Sequence, residues 1–86
     1  MIAYYFIVVE ADGSSVPPSV AWPTSEQARD AAVSFLADRV IEHGDELLAW
    51  EAHHDRADGL YPVFTAPTKY GRQVRVQPIE LITLCR

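Results

Sequence analysis

An α+β fold, a single helix packed on a four-stranded antiparallel sheet in the order β-α-β-β-β, is what this 86-residue sequence predicts. Three observations carry that reading. The chain opens on an unbroken run of β-branched and aromatic residues. A segment of helical periodicity follows, entered through a capping box. Three further apolar runs are then cut by turn signals. At this length there is room for one domain and one core.

The first strand is Ile2 to Glu10. Ile2, Tyr4, Phe6 and Val8 form one period-2 row and Ala3, Tyr5, Ile7 and Val9 the other. Both rows are apolar, which predicts an interior strand covered on both faces or buried by a partner. The composition favours strand over helix. Residues 11–24 are a connection. Asp12-Gly13 signals a turn, and Pro17, Pro18 and Pro23 disfavour regular structure because they donate no backbone hydrogen bond. Trp22 is expected to pack on the helix, on the sheet edge or on a partner.

The helix is predicted over residues 25–43. Thr24 is a good N-cap with Gln27 three residues on, Glu26 complements the helix dipole, and Gly44 is placed for the C-cap. Ala28, Ala32, Phe35, Leu36 and Val40 follow i, i+3, i+4 spacing and mark the core face. Asp30, Ser34, Asp38 and Glu42 line a roughly opposite face.

Leu47 to His53 reads as the second strand, with Leu48, Trp50 and Ala52 as its inward row. Residues 54–59 end in Asp58-Gly59, a hairpin signal. Leu60 to Ala66 is the third strand, and Pro62 places it at an edge or delays its start. Residues 67–72 turn at Gly71, and Gln73 to Cys85 is the last strand, halved or bulged at Pro78. All four glycines fall at element ends, so local and global signals agree.

Charge is unevenly laid out. The formal net charge is −5, with eleven acids against three bases in residues 1–58 and four bases against one acid in residues 59–86. Asp30, Asp38 and Glu42, continued by Asp45 and Glu46, predict an acidic ridge that, with Trp22, docks on another protein bearing a basic surface. Lys69, Tyr70, Arg72 and Arg75 interleave cations with an aromatic, the pattern that follows a phosphate backbone and stacks a base. The acidic whole opposes direct nucleic-acid binding.

No catalytic constellation is assembled. The serines lack a nucleophile elbow, Cys85 is a lone thiol near the end of the sequence, and no phosphate-binding glycine loop occurs. His53 and His54 are adjacent, so a strand points them to opposite faces, and no set of four ligands with zinc spacing exists. The expectation is therefore no metal, no cofactor and no enzyme. The opening apolar run, Ile2 to Val9, is far too short to span a membrane and lacks a basic n-region, so a cytoplasmic protein is the default.

One helix covers only one face of a sheet, which leaves a second apolar row to be buried by the loop, by a partner or in a homodimer. The reading that follows is a small non-enzymatic protein-binding or inhibitory protein that masks a partner's surface. Its size, acidity and class are those of phage and mobile-element anti-defence proteins, anti-CRISPR proteins among them; the analogy rests on no motif. The alternative is a small-ligand or nucleic-acid binding module that uses the sheet face and the basic 69–75 hairpin.

Overall fold

The computed structural model of the protein describes residues 2–15, 20–53 and 61–80. Strand β1 (Ile2–Val9) is followed by helix α1 (Ser25–Ala37) and strands β2 (Glu51–His53), β3 (Val63–Pro67) and β4 (Gln73–Glu80). They form one four-stranded antiparallel sheet in the spatial order β1-β4-β3-β2, with the helix laid over β1 and β4. The predicted α+β class and element order are what the chain adopts. No described helix is long and apolar enough to cross a membrane.

Register divides the side chains between two faces. Phe6, Val76, Phe64 and Ala52 stand opposite one another in a row across all four strands, and Val8, Val74 and Ala66 form the next row. These rows face the helix. Ala32, Leu36 and Val74 are buried together, with Phe6, Val8, Leu47 and Trp50 packed around them. Ala28 and Ala32, both wholly buried, let the helix backbone approach the sheet closely. Arg29, half-buried, lays its guanidinium 4.3 Å from the centre of the Phe64 ring, a favourable cation–π contact. The alternate rows, including Tyr5, Ile7, Arg75, Gln77, Thr65 and Glu51, belong to the face that the helix leaves open.

Strand β1 is an edge strand, contrary to the interior position its two apolar rows predict. One row packs under the helix and the other joins the open face. Its outer edge is met by a loop segment: the amide and carbonyl of Tyr4 each exchange a 2.7 Å hydrogen bond with Trp22, and Val9 bridges to Ser15. Trp22 stacks on Phe6 at 5.6 Å between ring centres. It therefore serves the sheet edge and the core.

The helix starts as predicted, with the Thr24 hydroxyl accepting from the Gln27 amide at 3.1 Å. It stops at Ala37, six residues short of the predicted end. The cause is Asp38, whose Oδ1 accepts from the amides of Val40 and Ile41 at 2.8 and 3.1 Å. A side-chain acceptor there offers the backbone an alternative to the next helical turn. Val40, predicted in the core face, is consequently 88% exposed. His43 and Gly44, with φ of 59° and 72°, reverse the chain toward Asp45.

Strand β2 is shorter than predicted because the helix does not extend over it. Leu47 only bridges to Thr68, while Leu48 and Ala52, predicted inward, are exposed; Trp50 alone of that row packs on the core. Strand β4 runs through Pro78 without a break. Because Tyr4 spends both backbone groups on Trp22, the Tyr4–Pro78 pair is a non-hydrogen-bonded one. The proline nitrogen thus faces β3, where the register, continued one step beyond Val63, would set Pro62 opposite it. Neither proline has an N–H to donate, and the β3–β4 ladder stops short of them, at the Phe64–Val76 pair. Strand β3 begins at Val63, after Pro62, and lies inside the sheet. The predicted turn at 54–59, Leu60, and the residues 81–85 of the last strand lie outside the described residues.

Candidate functional site

The residues of the predicted acidic ridge part company in the structure. Asp30, Asp38 and Glu46 are exposed. Asp45 is buried, at 2% exposure, and is bound within the molecule. Its Oδ2 accepts from Arg72 Nε at 3.0 Å and from Nη2 at 2.7 Å, and its Oδ1 accepts from the amides of Glu46 and Tyr70 at 2.8 and 3.2 Å. Glu42 accepts from Arg72 Nη1, and Glu10 stands 3.5 Å from the same nitrogen. Three carboxylates thus enclose one guanidinium, and Glu42 and Asp45 are spent on it rather than offered to a partner.

Burial pushes the Asp45 carboxyl up, but the side-chain bonds from Arg72 and Thr68 and the amides of Glu46 and Tyr70 together hold it below its ordinary value. Burial likewise works against the Arg72 cation, and the bonds and charges of Glu42 and Asp45 outweigh it, raising its pKa. A planar, bidentate guanidinium suits this enclosure better than an ammonium would.

The cluster ties two loops together at one end of the molecule. One is the 38–46 turn. The other is the β3–β4 hairpin, whose loop Lys69-Tyr70-Gly71 places Gly71 at φ 81°. The Thr68 amide bonds the Arg72 carbonyl at 2.9 Å, the Lys69 amide bonds the Glu46 carbonyl at 2.7 Å, and the Leu48 amide bonds the Pro67 carbonyl at 3.0 Å. On this anchored frame Val40 is 88%, Ile41 55%, Leu48 60% and Tyr70 58% exposed. Apolar side chains are held in water there, beside the exposed carboxylates of Asp38 and Glu46.

The predicted basic hairpin is divided among three environments. Lys69 and Tyr70 are exposed at the tip, Arg72 is enclosed in the carboxylate cluster, and Arg75 lies half-buried on the open sheet face. They form no continuous cationic strip. Near Arg75, a shallow concavity of about 240 Å³ is lined by His53, Val63, Thr65, Gln73 and Arg75. His53, the predicted last residue of the second strand, ends β2 and places Nε2 2.7 Å from the Thr65 hydroxyl. The sequence points to Arg75 but not to this grouping, because His53, Thr65 and Gln73 meet only once the β2–β3–β4 register is known. No group of three or more metal-ligating side chains occurs among the described residues. Comparison with protein-family models, with curated proteins and with solved structures finds no match for the chain.

Proposed function

We propose that this is a small non-enzymatic binding protein that occupies and masks the surface of another, cytoplasmic protein. The observation that carries the reading is Val40, 88% exposed on a loop whose end is fixed by the Asp45–Arg72 pair. Leaving large apolar groups in water costs free energy that contact with a partner recovers, at about 25 cal/mol per Å². Holding the loop in place beforehand lowers the ordering entropy that binding must overcome.

The partner's chemistry follows from the patch. Val40, Ile41 and Tyr70 ask for an apolar depression, and Asp38 and Glu46, reinforced by the net charge of −5, ask for a basic rim. A protein that handles nucleic acid presents such a rim, and covering it would inhibit that protein. In this reading the docking surface is the 38–48 and 68–72 end of the molecule, with Glu42 and Asp45 as its internal supports.

A photo-crosslinking residue at position 40 tests this in cells of the natural host. Crosslinks to a single protein, lost in a variant carrying Glu46→Lys at unchanged melting temperature, are the expected result. The same captured set from position 12, on the Asp12-Gly13 turn, would remove the proposal.

A further inference from the structure

We infer that the open face of the sheet carries a second site, independent of the protein-docking end, that binds a small oxyanion, a carboxylate or a phosphate group, between His53, Thr65, Gln73 and Arg75. The concavity that these residues line with Val63 measures about 240 Å³. That is ample room for one small oxyanion with water around it.

The sheet register builds it. Thr65 stands directly opposite Arg75 across β3 and β4. The alternation set by the Tyr4–Trp22 exchange makes that pair a non-hydrogen-bonded one, the kind whose side chains stand closest. From β2, His53 places Nε2 2.7 Å from Thr65 Oγ1. When Nε2 carries the proton, the imidazole donates to Oγ1 and the hydroxyl proton is left to donate into the concavity. Gln73 adds an amide. Three adjacent strands thus line one concavity with a guanidinium, an amide and a hydroxyl whose own proton the imidazole leaves free, a donor set that matches an oxyanion.

The arginines of the packed elements support the assignment by contrast. Arg29 lies on the Phe64 ring. Arg72 is enclosed by Asp45, Glu42 and Glu10. Arg75 is half-buried beside the concavity, and among the described residues no carboxylate forms an ion pair with it. A half-buried guanidinium with no counter-charge among the described residues is better stabilised by an anion from solution than by water alone. Glu51, exposed and paired with Thr65 on the other side, bounds the site and weighs against a second negative charge on the ligand.

The test is an amide NMR titration of the whole protein with inorganic phosphate and, separately, with acetate, against chloride at matched ionic strength. Saturable shifts centred on residues 53, 63–65 and 73–77 are expected for at least one oxyanion and not for chloride. The stronger arm identifies the oxyanion class. Arg75→Gln should weaken binding at least tenfold and Thr65→Val several-fold, while Glu51→Gln tightens it and Lys69→Gln changes nothing. Shifts that never saturate, that centre on Lys69, or that survive Arg75→Gln overturn the site. Should Arg75→Gln fail to fold, the wild-type shift map and Thr65→Val decide alone. None of these variants touches Val40, Asp38 or Glu46, so failure here and failure of the protein-docking reading are separately visible.

Discussion

Arg72 crosses 27 residues of chain to set Nη2 2.7 Å from Oδ2 of Asp45, a carboxylate with 2% exposure. This pair lies where one loop of the molecule is fastened to the other. Removing one partner of a buried ion pair leaves an uncompensated charge, which costs far more than the pair itself contributes. Asp45→Ala should therefore destabilise the fold by about 3 kcal/mol, the low end of that range because Glu42 stays on Arg72. Asp30→Ala, on the exposed helix face, should stay within about 0.5 kcal/mol. Equal urea midpoints for the two would refute the central place given to Asp45.

Acid should loosen the same fastening. The Asp45 carboxyl is held below its ordinary value in the folded state, so its contribution is complete above the unfolded value of about 4 and is lost as pH falls through the folded one. Urea midpoints measured from pH 6 down to pH 2 should fall for the wild type. In Asp45→Asn the decline should be shallower, from a lower starting point, and parallel curves would assign the acid sensitivity to other carboxylates.

Core position should separate neighbouring helix residues. Leu36 is 1% exposed and Val33 is 44% exposed. Leu36→Ala should cost about 3 kcal/mol, with a cavity left against Val74. Phe35, half-buried with its ring 5.6 Å from that of Phe6, should cost less than a fully buried phenylalanine would. Val33→Ala should be nearly neutral. Thermal melts that rank Val33 with Leu36 would mean that the buried stripe is misplaced.

Asp38 decides where the helix stops. Without its Oδ1, the amides of Val40 and Ile41 lose their acceptor, and the sequence 38–43 is free to continue the helical ladder. Carbon chemical shifts of Asp38→Ala should turn helical beyond Ala37, at a net change of about 1 kcal/mol, the scale of a capping interaction. Unchanged shifts at residues 39–42 would show that packing, and not the Asp38 side chain, ends the helix.

The sequence discloses local signals and conceals those that depend on pairing. Thr24 and Gln27 mark the helix start because a capping box is written in adjacent residues. The stop was obscured because Gly44 advertises a cap while Asp38 acts six residues earlier through its side chain. The acidic and basic runs look like two separate surfaces until the fold brings Asp45 and Arg72 together. Their cancellation is a long-range fact that no spacing rule contains. Strand β1 likewise reads as interior because composition reports burial and not neighbours. The grouping of His53, Thr65, Gln73 and Arg75 depends wholly on register.

The opposed prolines just past the end of the β3–β4 ladder also bear on errors of assembly. Strand β4 carries apolar residues on alternating positions, and apolar strands invite slipped pairing and recruitment of further chains. Pro78 tolerates its place only while its nitrogen points away from β1. A one-residue slip of β4 would rotate that nitrogen into the β1 ladder and forfeit a bond, besides exchanging Val74 and Val76 for Gln73 and Arg75 under the helix. Pro62, just before β3, likewise has no donor to offer. The two rings act as a proofreading device for the interior of the sheet, penalising wrong alignments of β4 more than the right one.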